Sequence, residues 1–423
     1  MLDLKFIRSN FDDVKAGVAR KQADPTIIDE ILRLDEEHRK TLAKVEQLRS
    51  ERKQVSKRVG APSPEEAERV RQDAKARKEE LKNLEQLTSD TKARLDELLL
   101  RVPNLPHESV PEGKDESENV VMRSWGEPTS FEARDHLEIG KDLDLLDVER
   151  ASKVSGSRFY YLKGEAVLME FALARFALDF LIERGFTPVI TPVLVKQRIM
   201  QGGGYLPGGE DEIYKTVKDD LYLIGTSEQS ILGMHTDELL DTSTLPIRYA
   251  GFSSCFRREA GSYGKDVRGI FRVHQFDKVE MFSFCRPENS WSEHEFLLQN
   301  EEEIMQALNI PYRVVVMCAG DLGAPAAKKY DIEAWMPGEN RYRETHSTSN
   351  CTDFQARRLS IRYRRDSGTG FVHTLNGTAV AIGRTLIAIW ENYQQSDGSV
   401  LVPQVLKPYL SFERILPSKA KTP

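Results

Sequence analysis

The stretch CFRREAGSYGKDVRGIFRVHQFDKVEMFSF, Cys255 to Phe284, sets the reading of the whole chain. Apolar and β-branched residues crowd its two ends and glycines fill its middle, a pattern that predicts strand, glycine-rich loop, strand. Arginines stand at 257, 258, 268 and 272. A guanidinium is a planar fork that takes phosphate in bidentate fashion, so Arg257 on one strand and Arg272 on the other can grip a polyphosphate from two sides. Phe276 then offers a ring to cover an adenine. The same residues also make an acceptable surface hairpin with scattered charge, so the reading depends on what lies downstream.

Two further segments bear on it. In ETHSTSNC (Glu344 to Cys351) an acid stands beside hydroxyl and amide side chains, oxygen ligands of the kind Mg²⁺ takes. By composition alone it reads as a polar loop with Asx and Ser/Thr turns. In LNGTAVAIGRTLIAIWEN (Leu375 to Asn392) a strand-like start gives way to an apolar helix carrying one internal arginine, Arg384. An arginine there needs a partner, either a structural carboxylate or a bound phosphate.

Around these segments, from Val120 onward, the composition is that of a mixed α and β domain. Amphipathic helices are predicted at Ala166 to Glu183 and Glu288 to Ala307. Short β-rich runs fall at Pro188 to Val195, Leu221 to Ile224, Ile270 to Val273, Val279 to Phe284, Tyr312 to Val316 and Ile332 to Trp335. Strands follow one another without βαβ alternation, which predicts an α+β class with an antiparallel sheet flanked by helices over residues 120–423. No G-x-x-x-x-G-K-[ST] and no G-x-G-x-x-G opens a helix, so a nucleotide site here is neither a P-loop nor a Rossmann site.

The N-terminal quarter is different. Ile27 to Val59 is free of Gly and Pro, and Ile31, Leu34, Val45, Leu48, Val55 and Val59 keep an alternating 3-4 register. Gly60-Ala61-Pro62-Ser63-Pro64 breaks the helix, and Ser63, Pro64 and Glu66 start another. Val70, Ala74, Leu81, Leu84, Leu95, Leu98 and Val102 give that second helix a matching stripe. The expectation is a helical domain over residues 1–105 whose residues 27–102 form an antiparallel coiled-coil arm. Near its tip, Arg49, Arg52, Lys53, Lys57 and Arg58 make a basic cluster, either a solvated face or a footprint for a phosphate backbone. Residues 106–119, punctuated by Pro106, Pro111 and Gly113, read as a linker.

With 423 residues, 39% hydrophobic and 30% charged, the chain is long enough for two or three cored domains, which excludes a disulfide mini-scaffold and wholesale disorder. The net charge of -7 argues against nucleic acid as a partner in the sum, though not in its distribution. The four cysteines, at 255, 285, 318 and 351, show no zinc spacing and read as reduced thiols. No targeting segment and no run of 18 apolar residues is visible, so the expectation is a cytoplasmic protein with no membrane partner.

In their order, the three segments resemble the signature motifs of the class II aminoacyl-tRNA synthetases, and their wording is similar to the bacterial-type seryl-tRNA synthetase family. GFTPVITPVLV (Gly185 to Val195, with Pro192) resembles motif 1, Phe256 to Phe276 motif 2, and GTAVAIGR (Gly377 to Arg384) motif 3. Thr226-Ser227-Glu228 is similar to the family's T-x-E triplet, and the helical hairpin to its tRNA-binding arm. The resemblance implies a homodimer that uses ATP and Mg²⁺ to make seryl-adenylate from L-serine and loads tRNA(Ser), and tRNA(Sec) where present.

Site roles come with it. Arg257, Arg384 and Glu344 are implied as catalytic, and Thr226, Ser227, Glu228, Arg257, Glu280, Asn376 and Thr378 as the serine subsite. The ATP subsite would comprise Arg257, Arg258, Glu259, Arg272, Val273, Phe276, Glu344, Thr345, His346, Ser347 and Arg384. Glu344 and Ser347 would hold Mg²⁺, and Arg49, Arg52, Lys53, Lys57 and Arg58 would meet tRNA. Thr345-His346 departs from the Ile-Ser of many members. Two alternatives stand beside this reading: a synthetase-like ligase that charges a carrier protein or small acceptor, and a non-catalytic coiled-coil nucleic-acid-binding protein.

Overall fold

The computed structural model describes residues 1–57, 64–129, 131–260 and 269–417, without the side chains of 54–57 and 64–71. It divides into two units, Met1–Pro103 and Asn104–Pro423.

In the first unit, short helices α1 (Leu4–Ser9) and α2 (Phe11–Arg20) precede two long ones, α3 (Thr26–Lys57) and α4 (Pro64–Arg101). Asp24 caps the start of α3, its carboxylate accepting from the Thr26 amide at 2.9 Å and hydroxyl at 2.7 Å. The 32 residues of α3 extend for roughly 48 Å at helical rise. The helices run antiparallel, since Glu30 pairs with Arg94, Lys44 with Glu80 at 3.2 Å and Glu51 with Arg77 at 3.5 Å. Ile31, Leu34, Val45, Leu81, Leu95 and Val102 are buried along the seam, as the register requires. Leu48, Leu84 and Leu98 are half-buried and Ala74 is exposed. Ile28, Asp35, Leu99, Thr88 and Thr91 are buried as well, and the Thr88 hydroxyl is satisfied by the Leu84 carbonyl at 2.7 Å. The side chains of Val55, Lys57 and Val70, and all of Arg58 to Ser63, lie outside the described residues.

The second unit is built on an eight-stranded sheet. Its strands in chain order are β1 (Val120–Trp125), β2 (Thr187–Ile190), β3 (Ile247–Phe256), β4 (Gln275–Cys285), β5 (Tyr312–Val316), β6 (Lys328–Met336), β7 (Arg341–Asn350) and β8 (His373–Ala381). They are arranged β1-β5-β6-β7-β8-β4-β3-β2. All neighbours are antiparallel except β2 and β3, which pair in parallel at one edge. Helices α5 (Glu165–Ile182), α7 (Ser290–Ala307) and α8 (Ile382–Tyr393) pack on it around a core that includes Met281, Tyr312, Ile332 and Trp390. At the other edge, β1 leaves Val120, Val121 and Met122 about half exposed, and its pairing with β5 slips between Val121 and Arg123. Arg123 there donates to Glu302 of α7 at 3.0 Å.

Three expectations need correction. The run Pro188 to Val195 is not one strand but β2 followed by a separate strand, Leu194–Lys196, which pairs with Leu221–Leu223. Ile270 to Val273 is no strand: Gly269 at φ +80° turns the chain, and the Ile270 amide donates to His136 Nε2 at 3.3 Å instead of to a ladder. Glu344 to Asn350 is not a polar loop but the end of β7, where Ser347 faces the cavity and Thr348 is buried, donating to the Asn376 carbonyl at 2.8 Å. Residues 106–119 lie along the second unit, with Val110 buried against Val315 and Met317. All four cysteines are free and buried. Among the described residues no helix is long and apolar enough to cross a membrane.

Candidate active site

Strands β3 and β4 run in register from Ile247 opposite Phe284 to Phe256 opposite Gln275. Arg257 follows at once, its amide donating to the His274 carbonyl at 3.0 Å, so the two chains stay in step past the ladder. The Arg257 guanidinium rests on the Gly225 carbonyl, with Nε and one terminal nitrogen each at 3.3 Å, and lies 5.2 Å from the Phe276 ring centre. Arg272 pairs with Glu259, a residue held in the left-handed region at φ +51°. On the motif 3 helix α8, Arg384 lies 3.3 Å from the Glu344 carboxylate and donates to the Glu344 carbonyl at 2.9 Å. Phe271 is sandwiched by cations, with Arg343 3.7 Å and Arg384 4.6 Å from its ring centre.

Arg257, Arg272, Arg384 and Phe276 thus face one cavity of about 230 Å³. Glu259, Val273, Glu344, Thr345, Ser347 and Thr378 line the same space. Burial alone pushes the Glu344 carboxyl up, but Arg384, Lys329 and Arg257 overcome this and bring its pKa down to about 2. Ser347 stands directly across from Asp331 of β6, and Lys329 lies 3.0 Å from that carboxylate. Burial raises Asp331 to about 7 in spite of the lysine.

At the side of β8 and β4 the cavity is lined by Thr378 and Lys278, and both meet a buried carboxylate. Thr378 donates to Glu280 at 3.2 Å, and Lys278 pairs with the same carboxylate at 2.5 Å. Thr226 caps the helix α6 (Ser227–Met234), accepting from the Glu228 amide at 3.3 Å. The Glu228 side chain is held by Tyr205 at 2.9 Å and Gln355 at 2.8 Å. Burial first and Glu280 second raise its pKa.

Some sequence candidates are placed elsewhere. The Ser227 hydroxyl is turned under β3, donating to the Gly251 carbonyl at 3.1 Å. Arg258 is exposed, its amide donating to the Glu212 carbonyl at 3.0 Å. His346 is buried between strands, Nε2 donating to the Ala379 carbonyl at 3.0 Å while the Thr345 hydroxyl lies 2.8 Å from Nδ1. Asn376 is buried, its side-chain nitrogen 4.0 Å from the Cys351 sulfur. In the first unit Arg49 is engaged by Glu85, and Arg52 and Lys53 are exposed. Lys57's side chain, Arg58 and residues 261–268, with Arg268, lie outside the described residues.

Sequence reasoning missed Lys278, Lys329, Asp331, Phe271, Tyr205 and Gln355. Strand alternation could have found the first three, because Lys278 shares a face with Glu280, and Lys329 with Asp331. Tyr205 and Gln355 reach Glu228 across 23 and 127 residues and leave no local signal.

An antiparallel-rich sheet, arginines beyond the end of β3, before the start of β4 and on α8, and the Glu344 carboxylate of β7 beside them define the catalytic core of a class II aminoacyl-tRNA synthetase. Residues 212–393 match the family model of the tRNA synthetase class II core domain (G, H, P, S and T), and residues 1–106 that of the seryl-tRNA synthetase N-terminal domain. The serine–tRNA ligase of Dictyoglomus turgidum is 48% identical over 99% of this chain and 100% of its own. That of Beutenbergia cavernae is 50% identical over 97% and 98%. The structure of seryl-tRNA synthetase from Pyrococcus horikoshii complexed with ATP superposes with a TM-score of 0.92 at 46% identity, covering 99% of this chain and 100% of that one. The chain belongs to the seryl-tRNA synthetase family and is an aminoacyl-tRNA ligase.

Proposed function

We propose that the chain activates L-serine with ATP and transfers the seryl group to the 3′-terminal adenosine of tRNA(Ser). The observation that carries this is one cavity in which Arg257, Arg272 and Arg384 stand with Phe276 and with Thr378, whose hydroxyl donates to the buried Glu280. The adenine lies on Phe276, near the Val273 backbone and Glu259, while Arg272 and Arg384 take the γ-phosphate. Arg257 holds the serine carboxylate against the α-phosphate. The serine ammonium is accepted by Thr226 and Glu228, and its hydroxyl is read by Glu280 and Thr378, with Asn376 beside them.

The serine carboxylate oxygen then attacks the α-phosphorus, the bond to the bridging oxygen breaks, and pyrophosphate leaves. The carboxylate is already the nucleophile, so this chain's residues act by positioning and charge neutralisation. The donors Glu344 and Ser347 fit a hard cation, because both line the cavity and Glu344 stays ionised. Among the described residues no three His, Cys, Asp or Glu side chains form a metal cage, and Glu344 and Ser347 would be the residues of this chain that hold Mg²⁺. When bound, Mg²⁺ neutralises phosphate charge.

The basic residues Arg49, Arg52, Lys53, Lys57 and Arg58 meet the tRNA backbone. The chain works as a cytoplasmic homodimer, for which exposed Leu168 and Phe171 on α5 and Ile190 of β2 supply apolar surface. ATP–pyrophosphate exchange across the standard amino acids, followed by charging of tRNA, tests the reading. Serine-dependent exchange without charging would favour a carrier ligase, and no exchange would end the enzymatic reading.

A further inference from the structure

Glu301 lies midway along α7, on the face pressed against the sheet. It is fully buried, and neither carboxyl oxygen makes a well-formed hydrogen bond among the described residues. Buried carboxyls are ordinarily satisfied, so this one calls for a physical account.

Its surroundings give one. A Cβ added to Gly377 would stand 3.0 Å from Glu301 Oε1, so the carboxyl is pressed close to bare backbone of β8. At that point β8 reaches the end of one ladder and a bulge in the other. The ladder with β7 ends at Thr348 opposite Gly377, and the pairing with β4 slips between Thr378 and Val380. The Thr378 amide, at the head of this bulge, is the backbone group turned toward Glu301. The Thr378 side chain lies with Glu280, to which its hydroxyl donates at 3.2 Å. One residue therefore faces Glu301 with its backbone and Glu280 with its hydroxyl. Burial, then Glu280 and Asp331, hold the Glu301 carboxyl well above the usual range.

We infer that Glu301 is a positioning residue for amino-acid selection, its carboxyl fixing the bulge that aims the Thr378 hydroxyl at Glu280. The inference rests on reading Thr378 and Glu280 as the pair that recognises the serine hydroxyl. A bulge free to shift by a fraction of an ångström misplaces that hydroxyl while leaving the ATP side intact, and misplacement of about 1 Å can cost on the order of 100-fold.

The test is pyrophosphate exchange by the full chain with Glu301→Gln and Glu301→Leu, measuring KM for serine, KM for ATP and the preference for serine over alanine. The leucine variant is expected to raise the serine KM about tenfold and lower the preference by a similar factor, with the ATP KM within about twofold. The glutamine variant, which keeps a polar planar group, should return to within about threefold of wild type. Unchanged serine KM and preference in the leucine variant, or equal losses for serine and ATP, overturns the inference. Should the leucine variant not fold, Gly377→Ala pushes on the same carboxyl from the strand side and is judged by the same split. Thr378→Ala separates the two levels: if it leaves serine selection intact, the reading of the hydroxyl pair has failed, whatever Glu301 does.

Discussion

Arg384 holds Glu344 twice, by an ion pair of 3.3 Å to the carboxylate and a hydrogen bond of 2.9 Å to the carbonyl. It also donates to the Phe271 carbonyl at 3.3 Å. The motif 3 arginine is therefore oriented before any phosphate arrives, and the carboxylate proposed for the metal is kept ionised by a cation on the neighbouring helix. Such preorganisation removes part of the ordering cost of binding.

Arg257→Ala should abolish adenylate formation and leave the fold intact, since its side-chain hydrogen bonds are to the carbonyl of Gly225, a residue that is only partly buried. Removal of one such donor typically costs roughly 3 to 4 kcal/mol, a hundred- to a thousandfold in rate. Wild-type exchange kinetics would refute the assignment.

Glu280→Ala should erode the choice of serine over alanine. It removes the acceptor of the Thr378 hydroxyl and strands Lys278, which is buried beside it. Sites built around a substrate hydroxyl reject the analogue lacking it by about 10⁴-fold. The measurement is the ratio of kcat/KM for the two amino acids, and an unchanged ratio assigns the hydroxyl to another residue.

Replacing residues 34–95 with a short linker should leave serine-dependent exchange largely intact and cut tRNA charging steeply. The deleted helices bury their seam against each other, and every cavity residue lies beyond Val120. Neutralising Arg49, Arg52, Lys53, Lys57 and Arg58 together should weaken tRNA binding and flatten its salt dependence. Because Arg49 also pairs with Glu85 on the surface, up to about 1 kcal/mol of hairpin stability goes with it, which circular dichroism would register separately. Undiminished charging by the deletion variant would remove the arm from tRNA recognition.

His346→Gln should flatten the acid side of the stability profile. Burial lowers the imidazole from its ordinary 6.5 to about 4. Between those values the unfolded chain binds a proton that the folded one refuses, so the contribution is complete above pH 6.5 and is lost as pH falls toward 4. One such group gives a slope of about 1.4 kcal/mol per pH unit. Urea titrations of both proteins at pH 7, 6 and 5 should differ by that slope. Parallel profiles would mean that His346 is charged in the folded state.

How much of this was legible in the sequence depended on whether a residue's neighbours in the chain are also its neighbours in space. Arg272 and Arg384 stand out as cations in apolar runs, Arg257 stands directly after one, and the helical stripes of α3 and α4 are local by construction. The strand β7 was misread because hydroxyl and amide side chains look like turn formers until a sheet buries them, as it does Thr348. Ile270 to Val273 failed in the opposite sense: its composition suits a strand, but Gly269 and the contact to His136 divert the backbone. Ser227 fell outside the site because the triplet sits at the start of a helix, where successive side chains diverge, and its hydroxyl is taken by Gly251.

The register slip between Val121 and Arg123 also bears on how the molecule keeps to itself in a crowded solution. A flat outer strand bearing Val120, Val121 and Met122 would present a row of open amides and carbonyls to any passing chain, the usual start of edge-to-edge aggregation. The bulge twists that row out of line, and Arg123 places a charged side chain across it toward Glu302. Straightening β1 by deleting Met122 would therefore convert a soluble edge into an adhesive one without touching a residue of the cavity.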